Sequence, residues 1–384
     1  MLELVRAKNP AEYFKTAKSW ITPEKACNGF VPQHTFIENL DEIPFLDYDL
    51  CDIEMHNTNT TVSAYTTLTE KSFTVMTSRG CPFKCTFCAS HAVHGRNMRY
   101  NSLERIRADF TIFKKRYGAA TLMIQDDHFM SDKARVLEIL EILKELDLGL
   151  ICANGLALYA LDRSMLEAFH AAGLRHMVLP VESGSQRVLK HLMKKPLKLE
   201  VSQRVANDCR DLGIYTVTNI LIGIPGETKA DIEETRRNLR SINSNWFNVF
   251  CTNPLVGSEI HAIAKKHGYI REDSLGSDHK IATIETPDFS REYIQEMQYL
   301  LNLELNFVCN NDMRLGEYKT ALEGLEHVIK VKEDHAFAWF YAGECHKQLG
   351  DTEQAAACRR RYDQYATTPF WKQYVSKFAL PFPE

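Results

Sequence analysis

Three cysteines in the stretch Ser78-Arg79-Gly80-Cys81-Pro82-Phe83-Lys84-Cys85-Thr86-Phe87-Cys88 carry the spacing C-x3-C-x2-C. On a loop this short, three thiolates can converge from one side on three irons of a [4Fe-4S] cube. No fourth cysteine lies nearby, so one iron keeps an open position, and an open position is where a metal centre binds and transforms a ligand. Two other uses of the thiols compete. A structural zinc ion would want a fourth ligand at close spacing, which His91 or His94 could supply. A disulfide would leave one thiol over, and no secretory segment is expected ahead of it.

The loop follows a strand-like run of aromatic and β-branched residues at 73–77, which sets the cysteines at the carboxyl end of a strand, where barrel sheets keep their chemistry. From 71 onward strand-like and helix-like segments alternate, the pattern of βα units in a parallel sheet. Strands are expected at 73–77, 120–125, 149–153, 175–181, 214–222 and 246–252. Amphipathic helices are expected at 102–116, 132–146, 162–171, 185–192 followed by 200–212, and 228–241. Ser102, Ser131 or Asp132, Asp162 and Thr228 stand where helix caps belong, and Gly173 and Gly213 close two helices. Six such units make a partial (β/α)6 barrel; a doubly wound sheet has the same alternation and stays open as the alternative.

Other polar groups gather at the strand ends. Gln125-Asp126-Asp127-His128-Phe129 follows the second strand, where the carboxylates face a ligand or cap the helix that starts near Asp132. Glu182-Ser183-Gly184-Ser185 follows the fourth, and a carboxylate there can accept from ribose hydroxyls, with Ser183 or Ser185 also suited to capping. Gly223-Ile224-Pro225-Gly226-Glu227 follows the fifth, where glycine lets backbone approach a ring and proline stiffens the turn.

With an aromatic residue, Phe87, before the last cysteine, the loop resembles the C-x3-C-x-Φ-C signature of the radical SAM superfamily, and the resemblance extends over residues 70 to 270. It implies a partial barrel in which Cys81, Cys85 and Cys88 hold a [4Fe-4S] cluster and the open iron chelates S-adenosylmethionine. One electron from a ferredoxin or flavodoxin-type donor then yields methionine and a 5'-deoxyadenosyl radical, which takes a hydrogen atom from substrate. It further implies that Asp126 or Asp127 touches ligand or substrate, that Glu182 and Ser183 reach the ribose or carboxylate, and that the segment with Gly223 and Pro225 passes beneath the adenine. Thr252-Asn253-Pro254-Leu255-Val256-Gly257-Ser258 is similar to the family's closing P-L-P-G-T segment, with Val256 and Ser258 in place of Pro and Thr. No residue stands out as a substrate acid or base.

The extended connector at 36–46 and the D-D-x-F form at Asp126 resemble the cobalamin-associated branch. Its D-x-H-x-x-G motif is missing, since Asp126-Asp127-His128 is followed by Ser131 where Gly belongs, and few residues precede the connector. The expectation is a radical SAM core without a recognisable cobalamin domain, with a methylase or cyclase using cobalamin as one alternative reading. A noncatalytic cluster-bearing scaffold is another.

The rest of the chain sets bounds. Its formal charge of -4 and dispersed basic residues, with Lys194-Lys195 read as a solvated face, argue against nucleic acid. No run approaches a membrane span, and eleven cysteines without a framework spacing suit a reducing, cytoplasmic compartment. Cysteines outside the loop read as buried small hydrophobes. Leu315-Gly316-Glu317-Tyr318 and Leu349-Gly350-Asp351-Thr352 are offset by 34 residues, the period of tetratricopeptide repeats. Such a short array must pack on the barrel or dock a partner; a plain antiparallel helical cap is the other reading. The expected layout is an extension at 1–70, a core at 71–270, a connector and helix at 271–311 and a TPR-like region at 312–384.

Overall fold

The structure, a computed structural model, describes residues 7–30, 32–33, 36–53, 60–63, 66–68, 71–152, 154, 156–270 and 278–382. The connector expected from Leu275 therefore begins outside the described residues, as do parts of the 1–70 extension.

Six parallel strands form the main sheet: β1 Ser72–Val75, β2 Thr121–Ile124, β3 Gly149–Cys152, β4 His176–Glu182, β5 Tyr215–Ile222 and β6 Trp246–Cys251. Each pairs with its neighbour in sequence, and the two end strands do not pair with each other. A doubly wound sheet would reverse strand order at a switch point. The unbroken order makes this a partial (β/α)6 barrel.

Helices α1 Leu103–Tyr117, α2 Lys133–Glu145, α3 Arg163–Ala171, α4 Leu199–Asp211 and α5 Lys229–Leu239 follow the first five strands. Their apolar stripes explain their place: Ile106, Phe110, Phe113 and Tyr117 recur at helical spacing on α1 and are buried with Phe73 and Val75 of β1. Ser102, Asp132, Asp162 and Thr228 accept from the first-turn N–H groups, each cap contributing about 1 kcal/mol, so Asp132 rather than Ser131 opens α2. Between β4 and α4 the expected helix is a π-helical turn at Val188–Leu192. The connector packs outside the barrel through Phe45 and Tyr48 against Phe73 and Phe113.

The free edge of β6 is covered. Helix α6 Glu259–His267 is followed by α7 Arg291–Leu303, which continues into a π-helical turn at Glu304–Val308. From there the Asn306 amide accepts from Phe247 N and donates to Phe247 O, both at 2.8 Å, while Gln298 donates to Val249 O. Side-chain amides thus satisfy edge groups that would otherwise template aggregation.

Four helices end the chain: α8 Tyr318–Val331, α9 Ala336–Gln348, α10 Thr352–Ala366 and α11 Pro369–Lys377. They bury Phe337, Tyr362 and Trp371 in a second core that also takes in Val217 and Trp246, register partners on β5 and β6. Ion pairs join the two parts: Asp312 meets Arg210 at 2.8 Å, and Glu304, 2% exposed, is held by Arg236 and Arg240. The repeat-like region packs on the barrel, near the amino-terminal ends of its last strands.

Candidate functional site

The cysteine loop leaves β1 at the carboxyl edge of the sheet and is held from below by the two carboxylates after β2. Asp126, 3% exposed, accepts from Thr77 N at 2.6 Å, Thr77 Oγ1 at 2.7 Å and Ser78 Oγ at 2.6 Å. Burial holds its carboxyl above the usual range, against the hydrogen bonds from Ser78 and Thr77. Asp127 accepts from Gly80 N at 3.0 Å and lies 2.8 Å from His94 Nδ1. At Gly80, φ is +95° and a Cβ would stand 2.3 Å from Asn97 O, so only glycine fits. Farther along, Thr86 donates to Leu192 O at 2.7 Å and Met193 O at 3.0 Å and accepts from Ile260 N at 3.0 Å. Ser90 N–H points to Cys88 Sγ at 3.4 Å. The loop is therefore fixed by directional bonds from three other segments, which is how a metal-binding constellation is preorganised.

Against the reading of Asp126 as a ligand contact, its buried carboxylate gives three of its roughly four acceptor sites to the base of the loop. Neither Asp126 nor Asp127 caps α2, a task that falls to Asp132.

The facing wall comes from β4. A bulge between Pro180 and Glu182 leaves Glu182 with φ +70°, a conformation that costs a non-glycine residue of order 1–3 kcal/mol and persists at sites that use it. Its carboxylate lies 3.4 Å from Lys195 Nζ, whose ammonium in turn stands 5.8 Å over the Phe87 ring. Lys195 is not on a solvated face as read from the sequence; its side chain is 16% exposed and lines a cleft of about 70 Å³ with Phe83, Cys85, Tyr159 and Pro180. Burial pushes the Cys85 thiol up to about 11, and Lys195 pulls it the other way. Behind Phe83, His128 Nε2 lies 3.2 Å from the Tyr159 hydroxyl, and burial lowers the pKa of the imidazole from its ordinary value.

Ser183, read as reaching the ribose or carboxylate or as a cap, lies inside the fold. It is fully buried, shares a 3.1 Å hydrogen bond with Thr235 and accepts from Ser185 N, the capping alternative. Gly223 and Pro225 lie at the end of β5, where φ of +85° at Gly223 turns the chain. The turn is braced by Glu227, fully buried, which accepts from Gly223 N at 2.6 Å and Ile224 N at 3.2 Å. Burial pushes the Glu227 carboxyl up to about 7.

The structure thus brings Cys85, Phe87 and Glu182 together with Lys195, sets Asp126 and Asp127 behind the loop, and leaves Ser183 inside the fold. Sequence reasoning missed Lys195, His128 and Tyr159 as neighbours of the cysteines. Nothing local separates Lys195 from the exposed Lys194, and His128 lay inside a motif read for its carboxylates.

The thiols suit the cubane. They are free, partly buried, and near enough that Cys81 and Cys88 both bear on Cys85. Among the described residues no three His, Cys, Asp or Glu side chains converge to hold one metal ion. A cube offers its irons at separate corners, so its ligands spread around it, whereas zinc wants them to meet at a point. His94, one of the fourth ligands considered for zinc, is engaged by Asp127. Of the other cysteines, Cys152, Cys209, Cys251, Cys345 and Cys358 are buried as expected, but Cys27 and Cys51 are exposed.

Residues 75–239 match the family model of the radical SAM superfamily. The chain is 28% identical, over 72% of its length and 53% of the relative's, to the cytidylyl-2-hydroxyethylphosphonate methyltransferase of Streptomyces wedmorensis. It is 26% identical, over 61% of its length and 49% of the relative's, to an uncharacterized methyltransferase of Pyrococcus horikoshii. The chain spans about half the length of these curated relatives. Among solved structures, the radical S-adenosylmethionine methyltransferase TsrM from Kitasatospora setae, with cobalamin and [4Fe-4S] cluster bound, aligns over 76% of this chain and 61% of its own, with 14% identity and a TM-score of 0.46. What the chain shares with the radical SAM superfamily is therefore the segment 75–239, which holds the cysteine loop and β2 to β5.

Proposed function

We propose that the chain is a radical SAM enzyme in which Cys81, Cys85 and Cys88 hold a [4Fe-4S] cluster and S-adenosylmethionine binds beside it. The observation that carries this reading is a three-thiol loop, with no fourth cysteine near it in the sequence, locked at the carboxyl edge of a parallel sheet by Asp126, Asp127 and Thr86. Held there by Cys81, Cys85 and Cys88, a cluster would supply the single electron for reductive cleavage of S-adenosylmethionine. The chain's own residues bind and orient. Glu182 accepts from the ribose, Lys195 meets a carboxylate, the turn at Gly223 and Pro225 lies along the adenine, and Phe87 with Phe83 keeps water from the cluster side. Asp126 and Asp127 act through the loop as positioning residues. Thiols kept reduced for iron suit the cytoplasm, and no helix among the described residues is long and apolar enough to cross a membrane.

Anaerobic reconstitution with iron and sulfide, followed by iron counting and an assay for 5'-deoxyadenosine, tests the reading. About four irons per chain and deoxyadenosine formed on reduction support it. Colourless protein, or one zinc at the thiols, ends it. The same assay without any partner removes the scaffold alternative if deoxyadenosine forms.

A second reading, radical methyl transfer, is favoured by the two methyltransferase relatives. A shift in the absorbance of added cobalamin supports the cobalamin form of it, and absence of binding removes that form. The TPR-like region, 312–384, serves on this reading as a cap on the barrel, with a protein partner on its outer face as a further role.

A further inference from the structure

A cavity of about 240 Å³, roughly the volume of eight waters, lies between the connector, β1 and α1. Its walls are mostly apolar. Leu40, Ile43 and Phe45 of the connector and Ile106, Phe110 and Phe113 of α1 line it, with Phe45 and Phe113 in ring contact at 5.1 Å. Three charged groups line the remainder: Arg79, Arg105 and Asp109. Arg105 Nε donates to both Asp109 oxygens, at 2.8 and 2.9 Å, and its Nη1 donates to Asp41 O at 2.8 Å. That pair is satisfied within itself. Arg79 is not. Its half-buried guanidinium reaches only the Met76 thioether at 3.3 Å and His94 Nε2 at 3.4 Å, and among the described residues it has no carboxylate partner. A thioether is a weak acceptor, so a cation partly removed from water is left without a counter-charge. The nearby polar side chains are committed elsewhere, Thr77 Oγ1 to Asp126 and Asn101 Nδ2 to Asp41.

We propose that this cavity binds a small amphipathic carboxylate, its apolar body against Phe45, Phe110 and Phe113 and its carboxylate on Arg79. A mostly apolar pocket with one convergent polar group is the usual form of a small-molecule site. The guanidinium offers N–H groups in a planar fork that matches a carboxylate with two parallel bonds. With two cations and one carboxylate in the lining, a single negative charge on the ligand balances it. Inorganic phosphate would meet the charge and leave the aromatic wall unused. A second copy of the chain needs about 800 Å² of its own surface for a stable contact, far more than the mouth of such a cavity offers. The site is separate from the cleft that holds Lys195, yet it borders the stem of the cysteine loop. Arg79 stands two residues before Cys81, and the His94 that it touches lies 2.8 Å from Asp127, the acceptor of Gly80 N. The proposal does not depend on what the three thiols hold.

The test uses 4-phenylbutyrate as the probe, with 4-phenylbutyramide as its neutral counterpart and inorganic phosphate as an anion without an apolar body. Binding to the full chain is followed by ligand-observed NMR, and amide hydrogen exchange of the parent maps where it occurs. The carboxylate is expected to saturate with a dissociation constant of about 1 mM or tighter, and the amide to bind about 10-fold more weakly or worse. Arg79→Gln should lose about 10- to 100-fold, and Arg79→Lys, which keeps the charge without the fork, should recover part of it. Arg291→Gln, the same loss of charge in a separate groove beside Tyr299 and Phe370, should bind as the parent does. Exchange should slow in 36–48 and 73–80. The proposal is overturned by absence of saturation up to about 10 mM, by equal affinity for the amide, or by phosphate displacing the probe as well as unlabelled probe does. Unchanged affinity in folded Arg79→Gln, or protection confined to other segments, also overturns it. So does a parent dimer that Leu46→Glu, at the exposed rim, converts to monomer, which would give the cavity to a second copy. Should Arg79→Gln not fold, the amide comparison and the exchange map decide on the parent alone.

Discussion

The two ends of the sheet are held by different mixtures of forces. At the carboxyl end, the cysteine loop hangs on directional bonds: a buried Asp126 with three donors, Asp127 under Gly80, and Thr86 clamped to carbonyls of another segment. Backbone there adopts conformations that side chains resist, at Glu182 above all. Near the amino end, the C-terminal helices sit on Val217 and Trp246 through an apolar cluster of Phe337, Tyr362 and Trp371. Burial is strong but undirected, whereas hydrogen bonds fix atoms in place. At the carboxyl end directional bonds carry the cysteine loop almost alone, whereas near the amino end the ion pairs of Asp312 and Glu304 and the amides of Asn245 and Asn311 work beside a large apolar cluster.

The largest expected effect breaks the site and spares the fold. Cys85→Ala should abolish both bound iron and deoxyadenosine formation, while Cys209→Ala, at a thiol buried against Met177, should keep both within about twofold after allowing for about 1 kcal/mol of lost packing. Equal loss in the two would mean that the wrong thiols were chosen.

Next comes a pair of comparable stability losses with different consequences. Asp126→Ala strands the Thr77 and Ser78 donors, and Trp371→Ala empties the second core; each should lower unfolding free energy in urea by about 3 kcal/mol. Iron per folded chain should fall only for Asp126→Ala. If Trp371→Ala loses iron equally, the two ends are coupled and the contrast drawn above is wrong.

Glu227 adds a pH signature at the carboxyl end. Its carboxyl rises from 4.5 in the unfolded chain to about 7 in the folded one, so between those values the native state holds a proton that the unfolded state has lost. Stability therefore falls as pH rises through that window and levels off above it, by about 3 kcal/mol for this group. Glu227→Gln should flatten the slope in urea titrations at successive pH values, and an unchanged slope would assign it to other groups.

The smallest expected effect tests Lys195. Lys195→Met should weaken S-adenosylmethionine binding to reconstituted protein about tenfold, the loss of one charge-assisted hydrogen bond, with Lys195→Arg recovering part of it. Trp371→Ala should leave the binding constant alone. Unaltered affinity in Lys195→Met would leave the lysine as a partner for Glu182 only.

How much of this could be read along the chain depended on the range of each interaction. The strands, the outer helices and their caps were legible because apolar periodicity and capping are local: Phe110 and Phe113 announce the buried stripe of α1, and Asp162 its neighbour's start. The cysteine spacing is equally local, since three thiols within eight residues share one loop whatever surrounds it. The surroundings of Ser183 and Lys195 come from elsewhere in the chain and were not legible locally, which is why Lys195 read as a solvated face. Thr235 buries the first, and a bulge in β4 turns Glu182 toward the second.

The sequence by itself determined the repeating βα order, the thiol triad and the helical repeat at the end, all set by spacing within a single segment. Only the tertiary structure decided that the sheet winds one way as a partial barrel, that Asp126 and Asp127 grip the loop from behind, and that Lys195 stands over Phe87. Those contacts join residues 49, 47 and more positions apart in the chain, and 106 for Thr86 with Leu192. Their geometry follows from how packed layers meet, which no local pattern encodes.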